Sequence, residues 1–139
     1  MIPARMLMFC TFLACSVALV GCQKKSTALH QVTGKVFFKG APLTSGLIVF
    51  SPDTNRGESG QIAYSKIRDD GTYTLQTGEG KGATAGWYRV TIAALSPASA
   101  NVESPPISLI PDKYRDPQLS QLQCEVTAGR ENHLDFNLD

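Results

Sequence analysis

The sequence predicts an all-β protein, a single antiparallel β-sandwich of about seven strands preceded by a signal peptide. Three observations predict it. Beyond residue 30 the apolar residues recur with a period of two, as in Tyr88, Val90 and Ile92, which puts alternate side chains on one face of a strand. The apolar stretches are short and divided by Gly, Pro and Asp, the punctuation of an all-β chain. No segment beyond residue 21 sustains the 3.6-residue period of an amphipathic helix.

The uncharged apolar run from Met6 to Val20 follows Arg5 and spans 15 residues. That is the pattern of a secretory signal and falls short of the roughly 20 residues that cross a bilayer as a helix. The run closes on Leu19-Val20-Gly21-Cys22, which resembles the lipobox of bacterial lipoproteins. In that family a peptidase cuts before the cysteine, the thiol receives a diacylglycerol and the freed amine is acylated. The resemblance implies a signal peptide over 1–21, lipidation of Cys22 and a bilayer as its partner. It also implies a lipid-anchored, extracytoplasmic place in the bacterial cell envelope, with Gln23 favouring the outer membrane.

Gln23 to His30 is polar and aperiodic, so residues 22–30 read as lipidated cysteine and tether, and 31–139 as one domain with a single core. Of the 4 cysteines, Cys10 and Cys15 leave with the signal and Cys22 carries lipid. Cys124 then has no disulfide partner; it alternates with Leu122 and Val126 and reads as a buried structural thiol. Charge excludes one class of partner. The chain carries a formal +1 and is near neutral once Arg5 is removed, with no basic footprint beyond Lys24-Lys25, so nucleic acid is not expected.

Strands are read in order at Val32, Val36 and Phe38, at Leu47 to Phe50, at Ile62 to Ile67, at Tyr73 to Leu75, at Tyr88 to Ile92 and at Leu134 to Leu138. Asp70-Gly71 predicts a primed hairpin turn joining the third strand to the fourth, because glycine supplies positive φ. Lys39-Gly40-Ala41-Pro42 predicts a loop, and with it a hairpin of the first strand on the second. Ser96 to Gln121 holds five prolines and one short strand candidate, Ile107 to Ile110. Its first half, Ser96 to Ser104, reads as mobile, whereas Tyr114 and Leu119 are predicted to pack the second half across the sandwich.

Taken in order, these motifs carry a resemblance. Val32-Thr33-Gly34-Lys35-Val36, Gly40-Ala41-Pro42-Leu43, Ile67 through Leu75, Gly86 through Ile92, Ile110 through Pro117 and Asp135-Phe136-Asn137-Leu138 look like the carboxypeptidase regulatory-like, or transthyretin-like, domain of small bacterial lipoproteins. The resemblance implies an immunoglobulin-like or prealbumin-like sandwich acting as a non-catalytic structural or recognition module. Two positions depart from it: Arg68 stands where an acidic residue is common, which removes a metal ligand, and Ala85 stands where proline is frequent.

No catalytic constellation emerges from the residues. His30 and His133 lie in no motif, and the ending Phe136-Asn137-Leu138-Asp139 departs from the Tyr-Arg-Gly-Ser-like ending of the transthyretin-like hydrolase branch, leaving a hydrolase as the third reading. No zinc spacing is present; Gly78-Glu79-Gly80-Lys81-Gly82 lacks the order of a phosphate loop, and Asp69-Asp70-Gly71 lacks that of a calcium loop. Neither cofactor nor metal is predicted. The alternation that buries Tyr88, Val90 and Ile92 turns Trp87, Arg89 and Thr91 outward, and these three form the candidate binding surface. A competing reading covers Trp87 with the proline-rich segment. Partner classes consistent with such a surface are an envelope protein, a peptide or a polysaccharide.

Overall fold

The computed structural model describes residues 27–97 and 105–139. The signal peptide, Cys22 and most of the tether lie outside the described residues, as does most of Ser96 to Ser104. The described chain is all-β. Its strands are β1 (Leu29–His30), β2 (Val32–Phe38), β3 (Ala41–Pro42), β4 (Gly46–Pro52), β5 (Ala63–Ile67), β6 (Thr72–Thr74) and β7 (Gln76–Thr77). They continue as β8 (Gly80–Lys81), β9 (Ala83–Thr84), β10 (Gly86–Ala93), β11 (Leu122–Val126), β12 (Asn132–His133) and β13 (Phe136–Leu138). Single-turn 3₁₀ helices occupy Thr54–Arg56 and Asp112–Arg115.

Two sheets make the sandwich. One has six strands, all antiparallel, in the order β11-β10-β4-β5-β7-β8. The other is built around β2, which pairs antiparallel with β3 and β6 and parallel with β12 and β13. The core lies between them. The Phe50 ring from the first sheet sits 6.2 Å from Tyr73 and 5.9 Å from Phe136 of the second, and 5.9 Å from Tyr88 beside it. Val32, Val36, Ile48, Val90 and Ile92 surround this aromatic centre with no exposure to solvent. Gly34 is fixed by close packing, since a Cβ there would stand 1.8 Å from the Leu134 carbonyl oxygen, which accepts the Tyr73 hydroxyl.

The connections differ from the sequence reading in ways that have physical reasons. The first strand does not pair with the second. β2 turns back only for the pairs Phe37 with Pro42 and Phe38 with Ala41; Leu43 then buries in the core and carries the chain across to the six-stranded sheet. The primed turn is here, at Lys39 and Gly40, with φ of 51° and 82°. At Asp70-Gly71 only the glycine has positive φ (81°), and its N–H donates to the Arg68 carbonyl at 2.8 Å. The Arg68 N–H donates in turn to the Thr72 carbonyl, so the turn is a type I turn closed by a glycine bulge, not a primed one. The Asp70 carboxylate holds that geometry by accepting from the Thr72 N–H and hydroxyl.

The predicted fourth strand is divided between the sheets. Thr72–Thr74 pairs with β2, and two residues later Gln76 pairs with Tyr64 of β5. The folded part also begins earlier than residue 31, because Leu29 and His30 pair with Thr84 and Ala83. In the proline-rich segment the Ser96 N–H donates to Ile107 and the Leu109 N–H to Ala94, which reduces the Ile107 to Ile110 strand candidate to a bridge. Tyr114 is buried as predicted, but Leu119 is 61% exposed. Asp116 accepts from the Gln118 and Leu119 N–H groups, and the tight turn this makes sends Leu119 outward while Ser120 buries and donates to the Val90 carbonyl.

Candidate functional site

β10 alternates as its sequence requires. Tyr88, Val90 and Ile92 face the core, and Trp87, Arg89 and Thr91 occupy the outer face of the six-stranded sheet, each half-buried. Register places Trp87 opposite Glu125, Arg89 between Gln123 and Ser51, and Thr91 opposite Val49.

Trp87 and Arg89 belong to one constellation centred on Asp53, a residue the sequence reading missed. Asp53 is only 2% exposed and caps the turn Thr54–Arg56, accepting from the Asn55 N–H at 3.1 Å. Its carboxylate lies 3.0 Å from Arg89 Nε and 3.4 Å from Arg56 Nε. The Arg56 guanidinium in turn stands 4.0 Å from the centre of the Trp87 ring, a cation–π contact, and reaches Gln123 Oε1 at 3.4 Å. Trp87 is therefore covered on one face by Arg56. Arg89 donates onward to the Pro117 carbonyl at 3.2 Å, and the Trp87 N–H donates to Glu58 at 3.3 Å.

The arrangement has a chemical consequence. Asp53 faces two guanidinium groups, the Glu58 carboxylate lies at the Trp87 backbone N–H and Glu125 stands opposite Trp87, so the flat aromatic is flanked by charges of both signs. Arg89, with its side chain 18% exposed, is committed to Asp53 and Pro117 and acts as a staple; Arg56, 47% exposed, is the more available cation. Thr91 shares the sheet face but lies two residues further along β10, beside Val49. A local signal for the turn existed in Asp53-Thr54 followed by Gly57, a capping residue and a glycine stop. Nothing local links Asp53 to Arg89.

Among the described residues, the side chains of Cys124, the two histidines and Asp139 make no hydrogen bond or ion pair to this cluster. Cys124 is buried, and that burial pushes its thiol up to about 12, which suppresses the nucleophilic thiolate. His133 Nε2 lies 3.2 Å from Asp135, while His30 Nδ1 accepts from the Gly129 N–H. The Tyr114 hydroxyl and the Lys113 ammonium bind the Asp139 carboxyl and hold it at about 2. Among the described residues no group of three or more His, Cys, Asp or Glu could hold a metal ion. A hollow of about 500 Å³ opens beside β1 and β9, lined by uncharged side chains including Leu29, Gln61, Thr77 and Thr84.

No protein-family model, curated protein or solved structure matches the chain. The functional reading rests on the residues themselves.

Proposed function

We propose that the protein is a cell-envelope lipoprotein, anchored in the bilayer through acylated Cys22, whose β-sandwich is a non-catalytic structural or recognition module. The observation that carries this reading is Leu19-Val20-Gly21-Cys22 at the close of an uncharged apolar run. Cysteine is the one side chain that supplies a thiol for a thioether, and small Gly21 admits the backbone closely to a peptidase. The fold is compatible with such a role: a core filled from both sheets needs no disulfide, and the free thiol of Cys124 is buried.

A second reading, a carbohydrate- or peptide-binding module, is favoured by the outer face of the six-stranded sheet, where Trp87 and a partly exposed Arg56 stand together. Anchoring is tested by growing cells with an alkyne-tagged fatty acid and comparing the wild type with Cys22→Ser. The wild type takes up label and the variant takes up none, because serine offers no thiol. Equal labelling of the two chains removes the lipoprotein reading.

A further inference from the structure

We infer that the outer face of the six-stranded sheet, at the end opposite Trp87, is a binding groove for an acidic polysaccharide, an assignment that rests on the recognition reading above. β5 turns Tyr64 and Lys66 outward, with Arg68 following at the turn, while Ala63 and Ile67 face the core. Pairing of Tyr64 with Gln76, and of Gln76 with Lys81, sets these three side chains in a row across β5, β7 and β8. Neighbouring strands stand about 4.8 Å apart, so the row spans roughly 10 Å. Two hollows of about 370 and 380 Å³ adjoin along this face and share Arg68, Thr74 and Gln76.

The charges in this groove differ in kind from those around Asp53. Lys66, Arg68 and Lys81 have no carboxylate within ion-pair distance among the described residues, whereas Arg56, Arg89, Lys113 and Arg115 each have one. Arg68 is nonetheless held in place: its two terminal nitrogens donate to the hydroxyls of Thr72 and Thr74, each at 3.3 Å. Those partners are neutral. The guanidinium is thus oriented without being neutralised, and its remaining N–H groups have no acceptor among the described residues.

An oriented, uncompensated guanidinium selects a planar oxyanion, and a carboxylate can meet it with two parallel hydrogen bonds. The half-buried Tyr64 ring offers a face for a pyranose ring, and the Gln76 and Gln31 amides and the Thr74 hydroxyl suit sugar hydroxyls. A linear polyuronate combines all three features. An extended peptide is a poorer match, because peptides that bind sheets add to an open edge through backbone hydrogen bonds, and the edge strand beside the groove, β8, is only Gly80–Lys81. A bilayer surface is flat on this scale, and the groove is concave.

The test uses the purified full chain in a non-ionic detergent, titrated calorimetrically at low salt with a galacturonic acid oligomer. A malto-oligosaccharide of equal length, poly-glutamate and phosphatidylglycerol vesicles are the comparisons. The polyuronate binds best, binding weakens as salt is added, and Arg68→Gln lowers affinity by about tenfold or more, with Arg68→Lys restoring only part. Lys81→Gln, at an exposed position whose side chain bonds to none of the described residues, lowers affinity without moving the melting temperature, and so covers the case in which Arg68→Gln disturbs the turn. Absence of polyuronate binding, equal binding of the neutral glycan, stronger binding of poly-glutamate or vesicles, or unchanged affinity in both variants overturns the assignment. The outcome is separable from anchoring: a chain that is labelled at Cys22 but ignores polyuronate loses only the groove, and one that binds polyuronate but takes no lipid loses only the anchor.

Discussion

Asp53 is the only charged residue that is buried among the described residues. It caps a turn, and it neutralises part of two guanidinium charges, one of which lies over Trp87. Asp53→Ala leaves Arg89 beside a vacated acceptor and frees Arg56 from its position over the indole. Breaking a fully buried ion pair costs about 3–5 kcal/mol; here both arginines keep contact with water, so a loss of about 2–3 kcal/mol is expected in urea unfolding. A change under about 0.5 kcal/mol, the size of an ordinary surface substitution, would mean that the cluster is ornamental. At this scale the sequence was legible wherever a residue's role follows from its neighbours. Tyr88, Val90, Ile92 and Cys124 bury as period two requires. Asp53 was illegible because its partner Arg89 is 36 residues away, brought near only by the register of β4 on β10.

Turns show the same division at the scale of elements. Asp70-Gly71 was correctly placed between two strands, but its type depends on the Asp70 carboxylate and on where β6 goes next, and the latter is a property of the second sheet. Gly71 and Gly40 both have φ near 80°, yet their surroundings differ. A Cβ on Gly71 would stand 2.8 Å from the Val36 carbonyl oxygen and 3.1 Å from Pro42 Cβ, whereas one on Gly40 meets nothing within 4 Å. Both alanine variants carry the strain of a left-handed non-glycine residue, about 1 kcal/mol. Gly71→Ala also forces backbone apart, so its melting point falls further, by an added 1 kcal/mol or so. Equal losses at the two positions would show that β2 and the turn yield freely.

For the whole molecule, the all-β class and the two-layer core were legible, because alternation and punctuation are local and abundant. Sheet membership was not: parallel pairing of β12 and β13 with β2 has no local signature. The closed core also sets an alkaline limit. Burial raises the Tyr73 and Tyr88 hydroxyls above their usual 10.0 and lifts Cys124 from 9.0 to about 12. The unfolded chain therefore loses these protons first, so stability is complete below about pH 9 and declines as pH climbs toward 12. Cys124→Ala removes the thiol's share and leaves the tyrosines', so the melting point of the variant holds steady to higher pH before it falls. Thermal scans from about pH 7 to 11 check this; identical slopes for both chains would show that the thiol contributes nothing to the decline.

The short pairing of β1 has a mechanical meaning. A pull entering from the N-terminal side first meets a ladder of two residue pairs, Leu29 with Thr84 and His30 with Ala83. Such a ladder opens one rung at a time under little load. The pull then reaches β2, which is gripped on one side by β3 and β6 and on the other by β12 and β13, and those rungs must slide together before any of them fails. The domain has a soft leader followed by a hard stop, so tension can take up slack at its entrance while the sandwich stays closed.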